Sequence, residues 1–121
     1  MIVSRKEMLE IEKSGLSSFE LINLVGKKLA THLLPYLEVN SNILILSGNG
    51  NNGADSFALI SNLKQFHINL ILVSGLPKNS DAMKLYKQVP SSIIQPLSSL
   101  DTCLKNCDVI IDGMVLVIMV N

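Results

Sequence analysis

Asn42-Ile43-Leu44-Ile45-Leu46-Ser47-Gly48-Asn49-Gly50-Asn51-Asn52-Gly53-Ala54-Asp55-Ser56 joins a short apolar run to a glycine-rich turn and then to a segment of helical periodicity. Ile43 to Leu46 are apolar at every position and flanked by polar residues, which is how a strand covered on both faces of a parallel sheet reads. From about Ala54 to Phe66 the apolar residues Leu59, Ile60, Leu63 and Phe66 recur on one side of a helix. Between them, Gly48-Asn49-Gly50-Asn51-Asn52-Gly53 fits Gly-x-Gly-x-x-Gly in the place where that pattern has a mechanism. Glycines let the backbone turn sharply and approach a ligand closely, and the first N–H groups of the next helix offer partial positive charge to a phosphate. A tight strand-to-helix turn without a ligand would show the same glycines, so the pattern alone leaves both readings open.

The alternation continues outward. Leu70-Ile71-Leu72-Val73 is a second apolar run, followed by a helical pattern from about Ser80 to Val89. Ile93-Ile94 is a weak third strand, Leu100 to Lys105 a short helix, and Val109-Ile110-Ile111 a further strand. Strands and helices in turn, joined by short connections, predict right-handed βαβ crossovers and an α/β fold with a three-layer, Rossmann-like parallel sheet. Upstream, Ser17-Ser18-Phe19-Glu20 has the spacing of a capping box, so a helix should start there. Leu21, Val25, Leu29 and Leu33, widened by Leu24, give it one buried face up to about Pro35. A weaker pattern from Ser4 to Lys13 predicts another helix, with Gly15 between the two. The expected organisation is one domain over 1–121, with N-terminal helices at 4–37 and the nucleotide-binding βαβ portion at 42–121.

Composition narrows the function classes. The 121 residues suit one core of about 100–150 residues. Ten basic side chains balance ten acidic ones, which leaves no broad basic surface for nucleic acid. Hydrophobic residues make up 48% of the chain and charged residues 17%, enough apolar material for a core. Cys103 and Cys107 stand four apart, a helix-face spacing that fits neither a redox pair nor a zinc knuckle, so both are expected to be reduced. Arg5, Lys6, Glu7, Glu10 and Glu12 occupy the N-terminal stretch, and the apolar tail is shorter than the roughly 20 residues of a membrane span. A cytoplasmic location, with no membrane or nucleic-acid partner, is the expectation. His32 and His67 have no carboxylate or cysteine at metal-ligand spacing, and Lys27-Lys28 reads as a solvated helix face.

Two familiar nucleotide loops fit poorly. A P-loop would place Lys and Ser or Thr after Gly53, where Ala54 and Asp55 stand. A dehydrogenase would carry an acid at the end of the second strand to hold the ribose, where the chain reads Val73-Ser74-Gly75. The generic glycine fingerprint also leaves Asn51, Asn52 and Asp55 unexplained. Amide oxygens can bind a ligand or an alkali cation, although Asn also suits a left-handed turn and Asp a helix start. Ser74-Gly75-Leu76-Pro77 is a turn that a parallel sheet would carry close to this loop.

Gly48 to Ser56 resembles the Gly-x-Gly-Asn-Asn-Gly-Gly-Asp-Gly signature of NAD(P)H-hydrate epimerases, the YjeF N-terminal domain, with Ala54 and Ser56 where the family has glycine. Leu21-Ile22-Asn23-Leu24-Val25-Gly26 is similar to the family's Leu-Met-Glu-Asn-Ala-Gly helix without its Glu and Asn. Asp108 to Gly113 resembles the strand that ends in Asp-Ala-Leu-Phe-Gly, with agreement ending at Asp112. The resemblance implies an isomerase that interconverts the S and R forms of hydrated NADH or NADPH. It implies substrate binding by Asn51, Asn52, Gly53, Ala54 and Asp55, and a potassium ion held by Asn52 and Asp112. Such a reaction needs a group that gives or accepts a proton near the leaving hydroxyl, and of the two carboxylates at hand, Asp112 and Asp55, Asp112 is the first choice.

Met114 to Asn121 stands where the family has a glycine-rich ligand loop, and the resemblance reaches only the first part of the family's domain. The expectation is therefore a domain incomplete at its C-terminus. The apolar tail is open to two readings, an extra strand favoured by its β-branched residues or the product of a shifted reading frame. The alternative function is a non-catalytic nucleotide-binding or interaction remnant, whose open sheet edge would favour self-association into a homodimer.

Overall fold

Ser17 satisfies the N–H groups that a helix leaves free at its start. The amide of Glu20 donates to Ser17 Oγ at 3.2 Å, and the amide of Ser17 donates to Glu20 Oε1 at 3.3 Å. The capping box read in the sequence thus opens α1, Ser18–Leu33, and Pro35 sits in a tighter turn at Leu34–Tyr36 that ends it. The computed structural model describes residues 15–49, 51–114 and 117–120, without the side chains of residues 51, 52, 117, 118 and 120. The helix expected at Ser4 to Lys13 lies outside the described residues.

After α1 come β1 (Asn42–Ser47), α2 (Asn51–Ile60), β2 (His67–Leu72), α3 (Ser80–Gln88), β3 (Ile94–Gln95), α4 (Leu100–Asn106), β4 (Val109–Asp112) and β5 (Val117–Val120). The strands lie in the order β3-β2-β1-β4-β5. The first four are mutually parallel, with Leu46 of β1 level with Ile71 on one side and Asp112 on the other. The fold is the expected three-layer, Rossmann-like α/β architecture. One strand departs from it, because β5 runs antiparallel to β4 with Val117 opposite Asp112. Residues 113–116 alone join the two strands, far short of the roughly dozen residues that a parallel crossover needs. The apolar tail thus forms the extra strand that its β-branched residues favour.

The continuous apolar run of β1 is covered on both faces, as its lack of alternation predicts. Ile43 and Ile45 face α1, α2 and α3, in one cluster with Leu29, Leu33 and Phe57. Leu44 lies on the opposite face with Ile71 and Cys107, packed by Leu100 and Leu104 of α4. Both cysteines are free, and Cys107 stands just past α4, where its thiol donates to the Leu104 carbonyl at 3.4 Å. Burial pushes that thiol above its ordinary pKa. Among the described residues, no helix is long and apolar enough to cross a membrane.

Helix α2 begins at Asn51, three residues earlier than its apolar periodicity implies, and ends at Ile60. It crosses α1 with almost no gap: a Cβ on Gly26 would lie 2.7 Å from the Ala58 carbonyl carbon. On its other side Phe57 packs against Tyr86 of α3, ring centres 5.6 Å apart. The hydroxyl of Ser18 donates to the Asp81 carboxylate and ties α1 to the start of α3.

The crossing yields a test. Gly26→Ala should gain about 1 kcal/mol of helix propensity yet lose more to overpacking, for a net destabilisation of about 1–2 kcal/mol. Urea unfolding should show a lower midpoint at unchanged slope; an unchanged or higher midpoint would show that the two helices can part at no cost.

Candidate nucleotide site

The chain runs from β1 through β2 to β3 in one direction across the sheet, and α4 then returns it to β4 on the far side of β1. Connections therefore diverge between β1 and β4, and the crevice outside the carboxyl ends of such strands is where open α/β sheets bind ligands. The glycine loop leaves β1 at that point, and Asp112 closes β4 directly beside Leu46. Two motifs far apart in sequence are brought to one place by strand order alone.

Three segments, the end of β1, the start of α2 and the end of β4, meet there at close range. A Cβ on Gly53 would collide with the Gly48 carbonyl oxygen and come within 3.1 Å of Ser47 Oγ. A Cβ on Gly113 would collide with the Ser56 hydroxyl and lie 2.7 Å from the Leu46 carbonyl, to which the Gly113 amide donates at 2.7 Å. These glycines are needed for close approach. Ala54 and Ser56, which replace family glycines, both lie inside α2 and are completely buried, Ala54 in the apolar core. Asn40 is the one non-glycine residue with positive φ among those described, so neither replacement meets a left-handed backbone.

The two carboxylates differ in their surroundings. Asp112 is half-buried, and its Oδ1 accepts from the Met114 amide at 3.0 Å. Asp55 is also half-buried, and burial pushes its carboxyl from the ordinary 3.8 up to about 6. Because α2 starts at Asn51, Asp55 falls beyond the first helical turn, where the sequence reading placed it. It therefore gains less from the helix N-terminus than expected, since that field fades beyond the first turn.

The side chains of Asn51 and Asn52 lie outside the described residues, while their backbones open α2. Gly53, Ala54 and Asp55 follow on the same helix, whose Ser56 meets Gly113 directly after Asp112. Asn49 donates from Nδ2 to the Ser74 carbonyl at 3.3 Å, which holds the Ser74 to Pro77 turn against the loop. Sequence reasoning missed two contacts. One is Ser56 against Gly113; the other is Met114, whose Cγ would stand 3.3 Å from a Cβ on Gly48. The signal for the second was present in the bulky residue directly after Gly113. Among the described residues, no three His, Cys, Asp or Glu side chains cluster as a metal site.

The environment of Asp55 gives a prediction with a definite sign. Below 3.8 the group is protonated folded and unfolded; between 3.8 and about 6 only the folded chain keeps the proton, so stability falls as pH rises through that window. Asp55→Asn should flatten this slope and stabilise the chain at neutral pH by about 1 kcal/mol, the full shift being discounted for partial exposure. Denaturant titrations at acid and neutral pH check it, and parallel pH profiles for the two proteins would contradict the assignment.

No protein of curated function matches the chain. The sequence profile of a family described as YjeF-related protein N-terminus matches residues 18–119, from the start of α1 into β5. The glycine loop, the contacts that seat α2 and the carboxylate of β4 thus lie within one matched unit, and the chain belongs to the YjeF-related N-terminal family.

Proposed function

We propose that the chain binds hydrated NADH or NADPH and interconverts its S and R epimers, as an isomerase of nicotinamide nucleotide repair. The observation that carries this reading is the meeting of the Gly48–Ser56 loop with Asp112 at the sheet's switch point, inside a domain of this family. Substrate phosphates would take the free N–H groups at the start of α2, which Asn51, Asn52 and Gly53 supply. Asp55 is partly desolvated and accepts no hydrogen bond from a described side chain, so ribose hydroxyls would supply the donors that it lacks.

Epimerisation requires the hydroxyl to leave one face of the hydrated ring carbon and return on the other. A carboxylic acid gives its proton to the departing hydroxyl, which leaves as water, and electrons from the ring nitrogen hold the cation that remains. Water then adds from the opposite face and returns a proton to the carboxylate, so nothing is consumed. Asp112 is the assigned proton-transfer group and Asp55 the second candidate, its titration near neutrality suiting it to either direction. Hard oxygen donors suit an alkali cation, and one Asp112 oxygen is already committed to Met114 while the other has no described donor. Potassium, held by Asn52 and Asp112, would supply positive charge beside the phosphates when bound.

A second reading, nucleotide binding without turnover, is favoured by Met114. Its side chain stands over Gly48, where the family has a flexible glycine-rich loop. Incubation of the purified chain with one pure epimer, followed by chromatography, separates the readings. The expected result is conversion faster than the spontaneous rate, lost about 100-fold or more in Asp112→Asn. Conversion at the spontaneous rate with retained binding would leave the second reading, and absence of both would refute each.

A further inference from the structure

A cavity of about 460 Å³ opens at the opposite end of the strands from the glycine loop. It is walled by Phe57 and Ile60 of α2 and by Leu85 and Val89 at the end of α3, with Ile68 and Ile93 beneath. Ile68 is the second residue of β2, so the cavity lies at the amino ends of the strands and shares nothing with the site between β1 and β4. Its origin is topological. Helices α2 and α3 both stop at this end of the strands, at Ile60 and Gln88, and the cavity opens between their ends.

The lining specifies a class of occupant. Its volume falls within the roughly 300–1,000 Å³ of small-molecule pockets, and its inner walls are hydrocarbon. At the mouth stand Lys64, Gln88 and Ser61, of which Lys64 is the one ionisable side chain, and no described side chain pairs with it. A cation above an apolar interior matches an anionic head on a hydrocarbon body. The two helices present their C-terminal ends here, and the partial negative charge of those carbonyls opposes a dianion such as a phosphate monoester more than the single negative charge that Lys64 can balance. We propose that this cavity binds a small amphipathic monocarboxylate, its chain against Phe57, Leu85 and Val89 and its carboxylate on Lys64, with Gln88 as a further donor. This goes beyond the epimerase reading and does not depend on it.

Titration of the whole chain with octanoate, followed through side-chain methyl resonances in NMR, tests the proposal. Saturable shifts are expected at Ile60, Ile68, Leu85 and Val89 but not at Ile111 of β4, which does not line the cavity. Lys64 is exposed, so its replacement leaves the core intact. Lys64→Glu should weaken octanoate about fivefold or more while Lys64→Arg retains it, and octanol should bind both variants alike. Absence of saturable shifts at the cavity would overturn the site. Equal octanoate binding by the Glu variant would overturn the carboxylate assignment. Neither result would bear on turnover at the loop.

Discussion

Everything near the candidate site depends on how closely other backbones approach α2. At its start Gly53 meets the carbonyl of Gly48, midway Ser56 meets Gly113, and further on Ala58 meets Gly26. At each contact one partner is a glycine, because a Cβ would occupy space already taken. The helix is thereby seated against β1, the end of β4 and α1 at once. Its remaining sides carry Phe57, Leu59 and Ile60 into the core. Wall of the site and centre of the core are the same element.

That economy explains which parts of the protein could be read in advance. The unbroken run Ile43 to Leu46 announced a strand buried on both sides, and Ser17 with Glu20 announced a helix start, because each signal is local. The start of α2 was harder, since Asn51, Asn52 and Gly53 favour turns by propensity and become helical only through the tertiary fit against Gly48. Gly26 and Gly113 gave no warning of their role, because close approach is a property of two segments and a sequence shows one at a time. The reversal of β5 follows from a short connection whose meaning appears only once β4 is known to end at Asp112.

The carboxylates show the same division. Asp112 was singled out from the strand that it ends, and strand order brings it beside the glycine loop. Asp55 was legible as a residue of the loop motif, but its elevated titration comes from the packing around α2, which no spacing encodes. A desolvated acid on the helix that anchors the core opposes folding at neutral pH. Proteins keep such groups where binding or proton transfer recovers the loss.

Because α2 is both anchor of the core and wall of the candidate site, occupancy of that site would be felt well beyond the loop. A ligand drawn to the first turn of α2 would also hold Gly53 on Gly48, Ser56 on Gly113 and Ala58 on Gly26. Opening of the helix would then require ligand release, and slow amide exchange in α2 would spread to α1 and β4. In this fold, occupancy of such a site and rigidity of the core would be a single variable.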